Sequence, residues 1–277
     1  MACLLSCLTH YKDYSGFNMA GKALIQVQNV EQHFQVGDDM VSPLKGVSFD
    51  INDGSFNIVY GPSGSGKSTL LNVLTGLQKP TKGLVLFEGR DVYNLPPDEL
   101  AYFRANHIGF VYQTNYWIKS LNVVDNVAMS LYFMGFNKAK AAKMARDALD
   151  RVNMGNYSKK FPILLSGGEQ QRIAMARALA TNPMFVIADE PTGSLDSKSG
   201  DMIMDLLRSC QTDLRRTVIL VTHNMEYLPL ADHLLHIQDG TIEALEHSSI
   251  QATTDTLMHD MRERINRLAR LKNVQSA

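Results

Sequence analysis

Short, largely apolar runs separated by polar or helix-forming segments dominate the hydrophobic pattern of this sequence. Phe56–Tyr60, Ile108–Tyr112, Phe185–Ala188 and Thr217–Val221 are such runs. Continuous runs of this length, rich in β-branched and aromatic residues, are typical of buried strands. Since Ser199–Cys210 has helical spacing between the last two runs, the pattern predicts strand–helix–strand units and a parallel sheet covered by helices on both faces.

The segment before the first of these runs is also rich in strand-forming residues. Ala23–Val30 and a stretch near Val47–Ile51 predict two strands, with a polar turn at residues 37–39 between them. Leu84–Phe87 predicts a further strand, and Ser68–Leu77 has helical spacing. The N-terminal part of the chain is therefore expected to be β-rich, with a helix after the first buried run.

Helix-forming residues replace the β-type runs in the middle of the chain. Ala139–Val152 carries Ala, Lys, Met, Arg and Leu at helical spacing, and Gly167–Ala180 predicts another helix. This pattern indicates a helical lobe, at about residues 114–180, inserted into the sheet domain. Residues 232–246 then return to β-type sequence, with a turn at Asp239-Gly240.

Both ends of the chain differ from the rest. Residues 1–21 form an N-terminal extension that lacks the basic residue and the long apolar core of a secretory signal, and a translation start at Met19 is an alternative origin for it. Residues 248–277 predict a C-terminal helical tail with an apolar stripe. The stripe consists of Leu257, Met261, Ile265 and Leu268. We expect this helix to pack on its own domain, with a partner or a membrane surface as the alternative contact.

Composition narrows the possible partners. The formal net charge is −1, so no overall electrostatic field favours nucleic acid or anionic lipid. The three cysteines suggest neither a disulfide framework nor a metal site, which fits a reducing compartment. No apolar run approaches the roughly 20 residues that span a bilayer. If the protein acts at a membrane, other chains must supply the spanning helices.

A phosphate-binding loop follows the first buried run. Its sequence fits the pattern GxxxxGK[ST], and the matching residues are Gly61, Pro62, Ser63, Gly64, Ser65, Gly66, Lys67, Ser68 and Thr69. Glycines let backbone N–H groups converge on phosphate oxygens, and the following helix points its positive end at the same place. Lys67 is expected to reach the β- and γ-phosphates, and the Ser68 hydroxyl to bind Mg²⁺. This motif predicts nucleotide binding but does not separate a kinase, a GTPase and a motor.

A second motif lies about 95 residues after the phosphate-binding loop, where Leu165–Arg172 reads LSGGEQQR. With Glu169 at the fifth position, this motif resembles the LSGGQ signature of the ABC ATPases. Ser166, Gly167 and Gly168 open a helix and form a second anion site. In the family this site grips the γ-phosphate of ATP held by the other subunit. The resemblance therefore implies a head-to-tail dimer of two copies with two ATPs at the interface.

The remaining motifs of the family follow in its order. Phe185–Ala188 leads into Asp189, which the resemblance implies as a Mg²⁺ ligand, and Glu190, implied as the general base that activates water. Gln113 resembles the Q-loop glutamine that contacts Mg²⁺ or water. Asp196 lies in the D-loop, which crosses the dimer interface, and His223 resembles the switch histidine that holds Glu190 and water in line.

Adenine recognition is expected at the first β-turn, where the family usually stacks an aromatic residue on the base. Phe34 occupies that place, where Tyr is more usual, and a π face is all that stacking needs. His33 is the alternative.

The resemblance covers residues 23–245. It implies a fold class, cofactors, partners and a cellular location. The fold class is α/β: a P-loop ABC ATPase core with a mixed, mainly parallel sheet, an N-terminal antiparallel β subdomain and an inserted helical lobe within residues 22–247. The cofactors are ATP and Mg²⁺. The partners are a second copy and integral membrane permease subunits on separate chains, with no nucleic acid. The location is the cytoplasmic face of the inner membrane, peripheral through the permease.

Within the family, residues 188–196 and 123–128 are similar to the lipoprotein-release and macrolide-export group. ATP-driven dimer closure would then power export of a lipoprotein, lipid, peptide or drug-like molecule. The group also contains a cell-division ATPase that signals across the membrane without moving cargo, which is the alternative. A DNA-repair ATPase would carry a long coiled coil where only about 95 residues without heptads lie. A translation-type ABC protein normally carries two cassettes on one chain, where this sequence has one.

Overall fold

The computed structural model describes residues 23–246, 250 and 254–256. Ten strands and six α-helices lie within residues 23–246, together with short 3-10 turns. The strands are β1 (Ala23–Val36), β2 (Asp39–Asn52), β3 (Phe56–Tyr60), β4 (Lys82–Phe87), β5 (Arg90–Asp91), β6 (Ile108–Val111), β7 (Phe185–Asp189), β8 (Thr217–Thr222), β9 (His233–Gln238) and β10 (Thr241–Glu246). The helices are α1 (Lys67–Leu74), α2 (Pro97–His107), α3 (Val123–Phe133), α4 (Lys138–Arg151), α5 (Gly167–Leu179) and α6 (Ser197–Thr212).

β1, β2, β4 and β5 form an antiparallel sheet with the order β2-β1-β4-β5. β1 and β2 are each 14 residues long, so the predicted strands were too short. The prediction failed at Val30 because polar residues interrupt the apolar run there. Pairing continues past that point because β1 bulges next to Asn29, which has φ 48°, and then resumes its register with β2.

The second sheet has the order β10-β9-β3-β8-β7-β6. β9, β3, β8, β7 and β6 are parallel neighbours, and only β10 joins antiparallel to β9. All side chains of β3 and β8 are buried, which explains why their sequences read as continuous apolar runs. The mixed, mainly parallel sheet and the N-terminal antiparallel sheet confirm the expected fold class.

The core lies on both faces of the parallel sheet. Phe56, Ile58 and Tyr60 point from β3 into one cluster, which continues under α3, α4 and α5, whereas Val59 points into the cluster beneath the antiparallel sheet. This alternation is the two-residue period of a strand. It fixes the orientation of β3, and so the direction in which the chain leaves Tyr60.

The helices between β6 and β7 form the lobe that the sequence analysis expected. α4 buries Ala141, Ala145 and Ala148 along one face, as the helical spacing of that segment predicts. The first turn of α3 is tied to the chain before α5, since the backbone N–H of Val123 donates to the carbonyl oxygen of Lys160 at 2.8 Å. The lobe therefore holds its helices together by backbone contacts as well as by apolar packing.

The C-terminal tail enters the described residues only at two points. Ile250 packs into the core cluster beneath the helices, and the Thr254 hydroxyl donates to the Ile250 carbonyl oxygen at 2.8 Å. The predicted stripe on residues 257–268 and the extension at residues 1–21 lie outside the described residues. Among the described helices, none has the length and apolar character needed to cross a bilayer.

Candidate functional site

Four sequence-predicted segments leave the parallel sheet at the same edge. Gly61 follows β3 directly, Glu190 follows β7 and His223 follows β8, and Gln113 is the second residue after β6. The register aligns the strand ends, with Tyr60 opposite Thr222 and Val221 opposite Asp189. The carboxyl edge of a parallel sheet is where ligands bind in open α/β folds. The topology thus brings these segments to one place.

At two positions of the phosphate-binding loop, only glycine fits. A Cβ atom on Gly61 would collide with the carbonyl oxygen of Ile237, and one on Gly66 would collide with that of Pro43. Gly66 also has φ 109°, a conformation that residues with a side chain rarely adopt. The loop is therefore pressed against β9 and β2, with its other side free to approach a ligand.

The start of α1 is prepared for an anion. The cap residue of this helix provides no side-chain hydrogen bond, and its first turn, with Lys67, Ser68 and Thr69, contains no acidic residue. Next to it the Ser65 hydroxyl is buried without a hydrogen-bond partner among the described residues. Unpaired donors and a positive helix end match phosphate oxygens. The residues present therefore fit a nucleotide phosphate group.

Lys67 lies over the loop. Its Nζ donates to the carbonyl oxygens of Gly61 at 2.9 Å and Pro62 at 2.8 Å. Ser63 and Gly64 are exposed at the crest of the same loop. The ammonium group therefore lies where it would contact an anion bound by the loop.

Two adjacent carboxylates end β7. Burial and the neighbouring charge of Glu190 raise the pKa of Asp189, and the ammonium group of Lys67 opposes that rise. The Asp189 carboxylate is therefore electrostatically coupled to both Glu190 and the phosphate loop. A divalent cation would relieve the like-charge repulsion between the two carboxylates, so this donor set fits Mg²⁺.

Glu190 is held in an unusual backbone conformation. Its φ is 47°, and its backbone N–H donates to the Val221 carbonyl oxygen at 2.9 Å, so β8 fixes it. Its carboxylate Oε2 lies 2.6 Å from Nδ1 of His223. Glu190 is only 17% exposed, whereas the His223 side chain is 71% exposed. The pair is thus anchored from the carboxylate side and open on the imidazole side.

Gln113 lies beside the loop that follows β7. A Cβ atom on Gly193 would come within 2.9 Å of Gln113 Nε2, so the glutamine side chain lies close against that loop. Asp189, Glu190, His223 and Gln113 are therefore all held at the carboxyl edge of the sheet.

The signature residues have contacts of their own. Ser166 caps α5, and Glu169 Oε2 accepts from the Ser166 backbone N–H at 2.8 Å and from its hydroxyl at 2.9 Å. The contacts of the glycines are with α6 and the loop before it: a Cβ atom would lie 2.8 Å from Ser199 Oγ at Gly168 and 3.4 Å from Leu195 at Gly167.

Asp196 caps α6 of its own chain. Its Oδ1 accepts from the Ser199 backbone N–H at 2.9 Å and its Oδ2 from the Ser199 hydroxyl at 2.8 Å. These bonds lower the pKa of Asp196. Ser199 is close to both Asp196 and Gly168, so the beginnings of α5 and α6 are adjacent.

Phe34 and His33, the two candidates for stacking on adenine, differ in how accessible their rings are. Phe34 lies on β1 opposite Val41 and is 38% exposed. His33 is engaged, with Nδ1 2.8 Å from Ser42 Oγ and Nε2 3.0 Å from Glu31 Oε2. Phe34 is therefore the more accessible ring of the two.

Sequence reasoning missed the partners that hold the signature helix. Glu169 was interpreted as a variant of Gln, although Ser166 and Glu169 form the S-x-x-E pattern of a capping box, which is legible in the sequence. Trp117 donates from Nε1 to Gln170 Oε1 at 2.8 Å, a contact that no sequence pattern announces.

Comparisons with known proteins agree with the motifs. The family model described as ABC transporter matches residues 44–193. An uncharacterized ABC transporter ATP-binding protein of Thermotoga maritima is 39% identical over 229 residues, covering 83% of this chain and 97% of that protein. The lipoprotein-releasing system ATP-binding protein LolD of Shewanella frigidimarina is 37% identical over 228 residues, covering 82% and 95%. The macrolide export ATP-binding/permease protein MacB of Brucella abortus is 42% identical over 224 residues, which are 81% of this chain but 34% of MacB.

Solved structures share the fold. The ATP-binding cassette MJ0796, in a dimeric post-hydrolysis state bound to ADP and Pi, matches with a TM-score of 0.74 and 36% identity, covering 80% of this chain and 98% of that one. The cbiO1 protein of Clostridium perfringens, part of the ABC transporter complex cbiONQ, matches with a TM-score of 0.75 and 26% identity, covering 91% and 99%.

Proposed function

Since this chain belongs to the ABC transporter family of ATP-binding proteins, we propose that it binds ATP with Mg²⁺, hydrolyses it as a head-to-tail dimer, and drives membrane subunits carried on other chains. One observation carries the proposal. The phosphate loop with Lys67, the carboxylate of Asp189 and the Glu190–His223 pair meet at one edge of the sheet.

Binding would use the loop and the start of α1. The backbone N–H groups of residues 61–69 and the Lys67 ammonium group would hold the phosphates, and exposed Phe34 would stack on adenine. Ser68, Gln113 and Asp189 would hold Mg²⁺, which supplies neutralisation of phosphate charge when bound. The elevated pKa of Asp189 indicates that its ionised form gains from a nearby cation.

Hydrolysis would use the pair at the ends of β7 and β8. Glu190 would accept a proton from the attacking water, and His223 would orient Glu190 through their 2.6 Å contact. The backbone bond from Glu190 to Val221 fixes the main chain from which this carboxylate extends. Orientation of this kind is expected to matter because a misplaced base loses most of its effect.

A second copy would complete the site. The signature residues Ser166, Gly167 and Gly168, and Asp196 in the loop before α6, would contact the nucleotide bound by the other subunit. Support comes from the neighbour MJ0796, which is dimeric with ADP and Pi. The exposed imidazole of His223 is available for such a partner.

The membrane partner would bind where apolar side chains are exposed next to these motifs. Tyr116 and Ile118 lie in the Gln113 loop, which is the segment of residues 112–122 between β6 and α3. Phe161, Ile163 and Leu164 precede the signature, and all five side chains are exposed. The two segments are joined through the lobe by the Val123–Lys160 backbone bond. We propose this surface as the permease contact, and the proposed location that goes with it is the cytoplasmic face of the membrane. Its similarity to LolD and MacB favours export of a lipoprotein, lipid, peptide or drug-like molecule.

The deciding experiment is the variant Glu190→Gln. We expect it to bind ATP, to release phosphate about 10²- to 10⁴-fold more slowly, and to accumulate as a dimer by light scattering. Glu88→Gln is a matched control, because Glu88 also has a positive φ, 48° against 47°, but lies at the exposed turn after β4. Unchanged phosphate release in Glu190→Gln would exclude Glu190 as the base. Purification in mild detergent followed by mass spectrometry would identify the permease.

A further inference from the structure

The indole of Trp117 bridges the chain after Gln113 to the signature helix α5. Its Nε1 donates to Gln170 Oε1 at 2.8 Å. The Arg177 guanidinium lies over the ring, 4.6 Å from its centroid. Burial lowers the pKa of Arg177, so the ring shares its contact with a largely desolvated cation. The indole is therefore held both at its edge and on its face by residues of one helix.

Gln170 connects Trp117 to the signature motif. Its Nε2 donates to the Leu165 carbonyl oxygen at 2.9 Å, and Leu165 directly precedes Ser166. One glutamine side chain thus bonds with Trp117 at one end and with the residue before the signature serine at the other. A displacement of Trp117 must either move Leu165 or break one of these bonds.

The neighbouring glutamine holds the other side of the Gln113 loop. Gln171 Nε2 donates to the Tyr112 carbonyl oxygen at 3.1 Å. Gln113 therefore lies between two points, Tyr112 and Trp117, that are both bonded to consecutive residues of α5. This arrangement restricts how far the loop can move without the helix.

The chain beyond Trp117 is fixed to α3. Asn126 is almost fully buried, and its Oδ1 accepts from the Ile118 backbone N–H at 2.9 Å while its Nδ2 donates to the Ile118 carbonyl oxygen at 3.2 Å. Movement of Trp117 is therefore shared with α3 as well. The contact lies where the loop meets two helices of the lobe, α3 and α5.

We propose that Trp117 is a positioning residue that makes the Gln113 loop and the start of α5 move together. The proposal rests on the proposed function, in which Gln113 faces the nucleotide of its own chain and Ser166 faces that of the partner. Contiguous packed and bonded side chains can transmit such a shift. Without the contact, the arrangement of α5 that accepts the partner's nucleotide would be populated less often, and dimerisation would weaken by that fraction.

The test uses Trp117→Phe, which keeps a ring for Arg177 but removes the N–H donor. In the Glu190→Gln background we expect ATP affinity of the monomer to stay within about twofold, because the phosphate loop is unchanged. ATP-driven dimerisation should weaken about three- to tenfold, the range that corresponds to the net contribution of one hydrogen bond. Gln170→Met should have a similar effect. Because both substitutions remove the same hydrogen bond, the double variant should dimerise no more weakly than whichever single variant dimerises more weakly.

A spectroscopic readout separates positioning from mere stability. Trp117 is the single tryptophan of the chain, so tryptophan emission reports the surroundings of this side chain alone. We expect ATP to change the emission of the Glu190→Gln protein, and Gln170→Met to reduce that change by at least half. Tyr102→Phe, in exposed α2, is the control and should leave both emission change and dimerisation as they are.

The outcomes distinguish the two proposals. If Glu190→Gln does not dimerise with ATP, the proposed function itself fails. If it dimerises and Trp117→Phe dimerises equally well, the proposed function stands and the positioning role is wrong. A variant that loses folding stability but keeps wild-type dimerisation would also overturn the positioning role.

Discussion

The carboxylate of Glu169 is expected to compete with the partner's nucleotide, so Glu169→Gln should strengthen ATP-driven dimerisation while it weakens the folded state. In the described chain Glu169 Oε2 accepts from the backbone N–H and the hydroxyl of Ser166, at 2.8 and 2.9 Å. In the proposed dimer the same two donors face a phosphate group of the partner's nucleotide. The carboxylate must leave before the phosphate can bind.

The size of the effect follows from the charge of the acceptor. A hydrogen bond to a charged group contributes about 1.5–3 kcal/mol, and one between neutral groups about 0.5–1.5 kcal/mol. Because Glu169 lies near the surface, solvent screening favours the lower ends of both ranges. The difference is then about 1 kcal/mol for each of the two bonds and about 2 kcal/mol together, which corresponds to roughly thirtyfold tighter dimerisation per site. The free energy of unfolding should fall by about the same amount.

The effect on stability should depend on pH. The backbone N–H of Ser166 is the main cause that lowers the pKa of Glu169 below its ordinary value of 4.5. A carboxyl group whose pKa is lowered by folding stabilises the protein above its unfolded-state value, and that contribution is lost as pH falls through the folded-state value. The stability difference between Glu169→Gln and the parent should therefore be full at pH 7, begin to shrink as pH falls towards 4.5, and disappear once pH is below the folded-state pKa of Glu169.

Sedimentation across a range of ATP concentrations, in the Glu190→Gln background, measures dimerisation, and urea unfolding measures stability. Glu99→Gln is the matched control, because Glu99 also lies in the first turn of a helix, α2, and is exposed there. Were Glu169→Gln to lose stability as expected and yet dimerise no better than its parent, the carboxylate would not compete with phosphate and this reasoning would be wrong.

Further predictions concern the nucleotide site and the lobe. Lys67→Ala should reduce phosphate release at least about a hundredfold, as loss of a charge-stabilising donor does. Phe34→Ala should weaken ATP binding about three- to tenfold in a fluorescence titration, whereas Phe34→Tyr should not, since both rings stack. Leu131→Ala should lower the free energy of unfolding by about 2–5 kcal/mol in urea, because the side chain is fully buried in α3. Glu190→Gln should lower the pKa of Asp189, because the charge of Glu190 helps to raise it; calorimetric Mg²⁺ titration should then detect binding at lower pH than in the parent.

How well the sequence predicted each element depended on how that element is stabilised. β3 was predicted at its true bounds, Phe56–Tyr60, because a strand buried on both faces needs an unbroken apolar run. α2 was not predicted at all, because none of its residues is buried and it has no apolar stripe. Its only signals are Pro97 at the first position, acidic residues in the first turn and basic residues in the last.

The same distinction applies to the candidate site. Residues within motifs, such as Lys67 and Glu190, could be named because their spacing along the chain is the signal. The contacts that orient them could not. The proximity of Gln113 to Gly193 and the bond between Trp117 and Gln170 join residues that are far apart in sequence, and only the packing of the lobe brings them together.

The beginnings of the helices explain why one anion site is open in a single chain and another is not. Among the α-helices of the described residues, α1 alone has neither a side-chain cap nor an acidic residue in its first turn. α5 and α6 begin side by side, and each already has a carboxylate of the same chain on one backbone N–H: Glu169 accepts from Ser166, and Asp196 accepts from Ser199. A helix start without a built-in anion gains most from an external one. Phosphate should therefore bind first at α1, and reach α5 only when a second copy brings a nucleotide able to displace Glu169.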